Sequence, residues 1–199
     1  MRVKLLLASS NAGKLKEFRM MAASLGSAGE IELNLLPEFN ALPRFAENAP
    51  TFAENAAGKA LHYSRFAEGV IFADDSGLVV PELGGAPGVR SARYAGENAS
   101  DAQRNDKLLA ELRGRTGDMR RAKFVCVIAA ARRGKMLAVV SDCVEGIVTE
   151  MPCGTGGFGY DPIFYFAPAQ KTFAELSPAE KNNVSHRGKA FRKLCAALE

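Results

Sequence analysis

Two strand-length stretches, residues 121–131 and 136–148, are separated only by Arg-Arg-Gly-Lys at 132–135. So short a connection leaves no room for a crossover, so the two must pair antiparallel as a hairpin. The rest of the chain follows a different pattern. V-K-L-L-L-A (3–8) reads as a strand, and Gly13 to about Leu25 reads as a helix with Leu15, Phe18, Met21, Ala22 and Leu25 at helical spacing. I-E-L-N-L-L (31–36) reads as a second strand. Thr51 to about Ala67 reads as a second helix, opened by the capping box T-F-A-E. Alternating βα units favour parallel pairing, so a hairpin beside them predicts an α/β fold with a mixed sheet.

Later segments extend the scheme. V-I-F-A (70–73) reads as a short strand, and L-V-V-P-E-L resumes extended structure with Pro81 as an interruption. Ser100 to about Leu112 reads as a helix opened by S-D-A-Q, with Leu108, Leu109 and Leu112 on its apolar face. Ser185 is placed to cap the last helix, whose inner face is Phe191, Leu194, Cys195 and Leu198. No repeat, low-complexity tract or linker breaks the chain, and 199 residues suit one compact domain.

Composition narrows the functional classes. Apolar residues make up 47% and charged residues 24%, and the net charge is +4. That charge suits small anionic ligands, but Lys and Arg are scattered, so no nucleic-acid partner is expected. No window approaches the apolar length of a membrane span, and the run from Leu5 to Ala8 is too short for a signal peptide. Cys126, Cys143, Cys153 and Cys195 have no metal-ligand spacing. Reduced thiols in a cytoplasmic protein are the expectation.

Two glycine-containing segments imitate known phosphate loops. G-T-G-G-F-G (154–159) satisfies G-x-G-x-x-G, but Y-D-P-I-F-Y-F follows where a dinucleotide fold needs a helix. It reads either as a plain flexible Gly-rich loop or as a loop whose backbone lies against a flat ligand, with Phe158 and Tyr160 as ring partners. A-S-S-N-A-G-K-L (8–15) approaches a P-loop but lacks its first glycine and its Ser/Thr. A strand end, a Ser-Ser-Asn turn and a helix beginning Gly-Lys still favour an anion. The plainer alternative is that Ser10 or Asn11 caps the helix and Lys14 is solvated.

The stretch F-A-D-D-S-G-L-V-V (72–80) places Asp74 and Asp75 at the end of an apolar run. Neighbouring strand residues face opposite ways, so the two carboxylates should have separate tasks. A metal-assisted phosphate hydrolase needs one carboxylate for Mg²⁺ and a group that orients or deprotonates water. An Asx-type turn with solvated acids fits the same letters. Glu47 precedes the second helix and reads as a metal ligand or a solvated loop acid, and Lys59 on that helix reads as a phosphate partner or a solvated lysine. Lys181, His186 and Arg187 gather before the last helix and suit phosphate or base-edge recognition. His62, mid-helix, reads as structural.

Taken together, "ASSNAGK", "TFAENAAGKA", "ADDSGLVV", "LGGAPGVRSARYAG", "GTGGFGYDPIF" and "SHRGKA" resemble the inosine triphosphate pyrophosphatase family. This family includes the bacterial dITP/XTP pyrophosphatases, and the likeness covers residues 3–198. Where the family often has E-T-G-x-T-F, this chain reads E-N-A-P-T-F, which changes the loop at Asn48, Ala49 and Pro50.

The resemblance implies a single nucleotide pyrophosphatase domain over residues 1–199, elongated and two-lobed around a long mixed central sheet, and a homodimer. It implies Mg²⁺-dependent conversion of ITP, dITP or XTP to monophosphate and pyrophosphate. Ser9, Ser10, Asn11, Ala12, Gly13 and Lys14 would hold the triphosphate. Asp75 would accept a proton and bind magnesium, with Glu47 as a second ligand, Asp74 as support and Lys59 offsetting phosphate charge. Ser76, Phe158, Gly159, Tyr160, Asp161, Lys181, His186 and Arg187 would bind base and sugar. The alternatives are a Maf-like pyrophosphatase with another base preference, or a non-catalytic nucleotide binder.

Overall fold

The structure, a computed structural model, describes residues 3–25 and 31–199. Its strands form one seven-stranded sheet in the order β2-β1-β3-β4-β5-β6-β7. In chain order the elements are β1 (Val3–Leu7), α1 (Ala12–Leu25), β2 (Ile31–Leu35), α2 (Phe52–Tyr63), β3 (Val70–Val79) and α3 (Asp101–Glu111). There follow β4 (Arg121–Arg132), β5 (Lys135–Val148), β6 (Phe164–Phe166), β7 (Lys171–Thr172), α4 (Pro178–Val184) and α5 (His186–Leu198).

β1 pairs parallel with both β2 and β3, whereas β5–β6 and β6–β7 are antiparallel. The sheet is therefore mixed, as the hairpin demanded. That hairpin turns on Arg133 and Gly134, both at positive φ (49° and 74°). This is the two-residue I′ geometry that matches strand twist, and glycine at its second place removes the steric cost.

The chain divides into two compact units. The first comprises residues 1–75, 126–142 and 187–199, and the second 76–125 and 143–186. In the first, Leu5, Leu7, Phe72, Cys126 and Ile128 of the sheet pack against Phe18, Met21 and Ala22 of α1 and Ala190, Phe191 and Leu194 of α5. Phe18 meets Phe72 edge-on at 5.1 Å, and Phe191 at 5.3 Å. The expected inner faces of α1 and α5 are thus observed, apart from Leu25, whose side chain lies outside the described residues. In the second unit, Leu78, Leu108, Leu112, Phe124, Phe164 and Phe173 form a separate core.

Several expectations change. β3 is one strand of ten residues, not a short strand over 70–73 with extended structure resuming at Leu78. Asp74 and Asp75 therefore sit mid-strand, and Gly77 lies within the strand. A Cβ there would lie 2.3 Å from Ser91 Oγ and 2.5 Å from Gly88 O, so glycine admits that segment against the strand. Helix α2 stops at Tyr63, four residues before Ala67, with Ser64 as its C-cap. The Thr51 hydroxyl caps it by accepting from Glu54 N, while the Glu54 carboxylate accepts from that hydroxyl instead of completing the box. At α3 the Ser100–Gln103 box is complete. Ahead of Ser185 lies the short helix α4, opened by a further capping box between Ser177 and Glu180.

Candidate functional site

Strand order places β1 between β2 and β3, with α1 leading away to one side and α2 returning to the other. Such a reversal opens a crevice beyond the carboxyl ends of the strands. β1 ends at Leu7, opposite Phe72, and Ala8 N still donates to Phe72 O at 2.9 Å. β3 runs on through Asp74 and Asp75 beside the turn into α1. There Asn11 Oδ1 accepts from Lys14 N at 2.9 Å, and Ser9 Oγ accepts from Asn11 N at 3.2 Å. Asn11, of the two candidates, is the cap. Ser10, Asn11 and Ala12 are exposed, and Gly13 is half-buried.

The two aspartates face opposite ways, as strand geometry requires. Asp74 shares its face with Phe72, toward α1 and α5. It is 1% exposed; its Oδ2 lies 2.8 Å from Lys14 Nζ and 3.7 Å from Arg187 Nε. Burial opposes ionisation of Asp74, yet the charges of Lys14, Arg187 and Lys59 prevail and hold its pKa down to about 2. Arg187 is itself buried and paired with Glu17 Oε2 at 2.6 Å. Those acids push its pKa up despite the burial that opposes its charge.

Asp75 faces α2 and is 8% exposed. Its Oδ2 accepts from Asn55 Nδ2 at 2.9 Å. Burial raises its pKa, and Glu47 adds to the rise, while Asn55, Lys14 and Lys59 pull the other way. Adjacent carboxylates are thus driven in opposite directions, one held as a fixed anion and one with raised proton affinity. Such divergence marks sites of acid–base chemistry. Glu47 is ion-paired with Lys59 of α2 at 2.8 Å.

The second unit carries a different cluster. Lys181 Nζ lies 2.5 Å from Asp161 Oδ2 and 4.9 Å from the centroid of the Phe158 ring. Asp161 Oδ2 also accepts from Phe158 N at 2.8 Å. α3 grips the same loop: Asp101 accepts from Gly159 N at 2.6 Å, and Asn105 donates to Gly159 O at 3.1 Å. Gly157 is at positive φ (69°), and a Cβ there would strike Asp161 Oδ2 at 2.1 Å. Residues 154–159 lead into a single 3-10 turn and β6, with no helix N-terminus as a dinucleotide fold needs. His186 lies buried, stacked on Phe124 at 4.6 Å and 7°.

The structure thus brings Asn11, Lys14, Glu47, Lys59, Asp74 and Asp75 into the first unit, and Phe158, Gly159, Asp161, Lys181 and His186 into the second. Ser76 follows Asp75 on β3, half-buried, in the second unit. Two placements differ from the sequence grouping. Arg187 does not stand with Lys181 and His186 but belongs to the first unit, behind Asp74. Tyr160 is no open ring partner; its ring is buried in the second core and its hydroxyl donates to Ser91 O at 2.9 Å. His62 is structural, bonded to Pro43 O at 2.8 Å.

Asn55, Glu17, Asp101 and Asn105 were missed. For the first two a signal existed: Asn is disfavoured inside helices, and Asn55 and Glu17 stand four and three residues from Lys59 and Lys14.

Among the described residues no three or more His, Cys, Asp or Glu side chains form a metal cage. Magnesium does not require one: it takes one or two carboxylates and completes its shell with water and substrate phosphate. Asp75 with Glu47, whose charge adds to the rise in the Asp75 pKa, are the hard oxygen donors that fit it. Among the described residues no helix is long and apolar enough to cross a membrane.

The model of the Ham1 family matches residues 5–197. The chain is similar to a dITP/XTP pyrophosphatase of Geobacillus kaustophilus, 49% identical over 96% of this chain and 92% of that one. It is also similar to one of Bacillus licheniformis, 43% identical over 98% of each. Among solved structures, a HAM1 protein from Coxiella burnetii superposes with a TM-score of 0.86 at 41% identity, covering 98% of each chain. The Ham1 protein of Staphylococcus aureus gives 0.83 at 39% identity, covering 98% of this chain and 97% of that one. Matched along nearly its whole length in both sequence and fold, the chain belongs to the Ham1 family.

Proposed function

We propose that this protein hydrolyses the non-canonical purine nucleotides ITP, dITP and XTP to monophosphate and pyrophosphate, using Mg²⁺. The observation that carries the reading is the opposed pair on β3: Asp74 held ionised beside Lys14, and Asp75 raised in proton affinity beside Asn55. A triphosphate carries about four negative charges, which must be offset before an attacking oxygen can approach phosphorus. Lys14, Lys59 and the positive end of α1, at Ser9–Gly13, supply that offset.

Asp75 accepts the proton of the attacking water, since burial gives its carboxylate more basicity than a solvated one. Attack at the α-phosphorus expels pyrophosphate, and Lys14 and Lys59 meet the charge that develops on it. Asp74 holds the Lys14 ammonium in place through their ion pair. Magnesium, held by Asp75 with Glu47, would neutralise phosphate oxygens and favour hydroxide over water.

Base selection falls to the second unit. Phe158 offers a ring face to a purine, and Lys181, with main-chain N–H groups of its loop, offers donors. Hypoxanthine and xanthine present a 6-oxo acceptor to these donors. Adenine presents a 6-amino donor and would leave them unpaired, which is costly. Arg187, held by Glu17 beside Asp74, is assigned to the phosphate side. We further assign the protein to the cytoplasm, as a homodimer; no disulfide joins Cys126, Cys143, Cys153 or Cys195. Steady-state rates with ITP, XTP, GTP, dUTP and dTTP test the reading. ITP and XTP are expected to have the highest kcat/KM; a preference for dUTP or dTTP would instead indicate a Maf-like enzyme.

A further inference from the structure

The altered loop Glu47-Asn48-Ala49-Pro50 is held by one side chain that also holds Asp75. Asn55 is 1% exposed and lies in the first turn of α2. Its Oδ1 accepts from Ala49 N at 3.0 Å, and its Nδ2 donates both to Ala49 O at 3.4 Å and to Asp75 Oδ2 at 2.9 Å. One amide therefore joins loop backbone and carboxylate, with donors and acceptor both engaged. Four residues on, on the same helical face, Lys59 pairs with Glu47 at 2.8 Å. A buried amide with every bond satisfied has one orientation and transmits it to its partners. Pro50 stiffens the loop and biases Ala49 toward extended backbone.

We infer that Asn55 is a positioning residue, which sets the spacing and orientation of Asp75 relative to the Glu47 loop and so shapes the two-carboxylate magnesium site. The inference rests on the proposed function only for what the carboxylates bind. Asn55 touches neither water nor phosphate in this scheme; it acts through Asp75 and Ala49. Partners of metal-binding carboxylates typically alter affinity or activity by about 10–100-fold when removed.

Asn55→Asp separates the two bonds. It keeps an acceptor for Ala49 N but sets an anion against Asp75 in place of a donor. The expected result is a fall in kcat of about 10–100-fold with KM for ITP changed less than about threefold, and a comparable loss of Mn²⁺ affinity by electron paramagnetic resonance without nucleotide. Asn55→Ala should do the same and also loosen the loop. If either variant fails to fold, the wild type still decides: the Asn55 side-chain amide NMR signals should exchange slowly with solvent and shift on Mg²⁺ titration. Wild-type-like kcat and Mn²⁺ affinity in Asn55→Asp, or fast-exchanging amide signals that Mg²⁺ leaves unmoved, would overturn the inference. A wild type inactive on ITP and XTP overturns the functional reading instead, and the Mn²⁺ and NMR readouts then judge Asn55 alone.

Discussion

The two units bury charge in different ways. In the first, Lys14, Lys59 and Arg187 face Glu17, Glu47, Asp74 and Asp75, so each buried charge answers to several others. In the second, one lysine and one aspartate, Lys181 and Asp161, are paired and then enclosed by the rings of Phe158 and Phe173. A charge network can take up a highly charged ligand by exchanging partners. A single pair fixed by rings and by a glycine loop suits a flat, uncharged one. Under the proposed function, phosphate chemistry and base choice are separable, and substitutions should separate them.

The largest effect is expected at Asp75. Asp75→Asn should lower kcat about 10³-fold, the order set by loss of a positioned proton acceptor. It should not lower the stability of the metal-free protein at pH 7, because burial already disfavours the Asp75 charge. Thermal unfolding beside rates checks both halves. Its neighbour behaves in the reverse sense. Asp74→Asn leaves Lys14 and Arg187 without their shared anion and should cost about 3 kcal/mol at neutral pH, seen in denaturant unfolding.

The pH dependence follows from the same shift. The folded pKa of Asp74 is depressed from the ordinary 3.8 to about 2, so its contribution is complete above pH 4 and disappears as pH falls through 2. Unfolding free energies of wild type and Asp74→Asn, both metal-free, should therefore converge over that interval. A constant gap would remove Asp74 from the network.

The arrangement of these acids shows how far the residues could be read in order. The hairpin turn, the inner faces of α1 and α5 and the Ser100 cap follow from local chemistry, and they were legible. The continuity of β3 was not. Aspartate is depleted in strands, and what keeps Asp74 there is Lys14 and Arg187, supplied by opposite ends of the chain. The same distance hid the role of Arg187, which neighbours His186 in sequence while pairing with Glu17. Helix α4 is legible in the capping box Ser-Pro-Ala-Glu at 177–180, a signal missing from the sequence-based expectations. Phe158 and Tyr160 look alike in the letters; packing in the second core and the Ser91 carbonyl distinguish the buried ring from its neighbour.

A smaller effect is expected in the second unit. Phe158→Ala should raise KM for ITP about tenfold with kcat nearly unchanged, since a stacking face contributes on the order of 1–3 kcal/mol per base. A loss in kcat equal to that of Asp75→Asn would break the division between the units.

The most direct measurement is pyrophosphate release from ITP and from ATP, at equal Mg²⁺, by wild type and Asp75→Asn. Wild type should cleave ITP with kcat/KM at least about 10²-fold above ATP, and Asp75→Asn should be about 10³-fold slower on ITP. Equal turnover of ATP and ITP, or an Asp75→Asn enzyme as fast as wild type, would contradict the account.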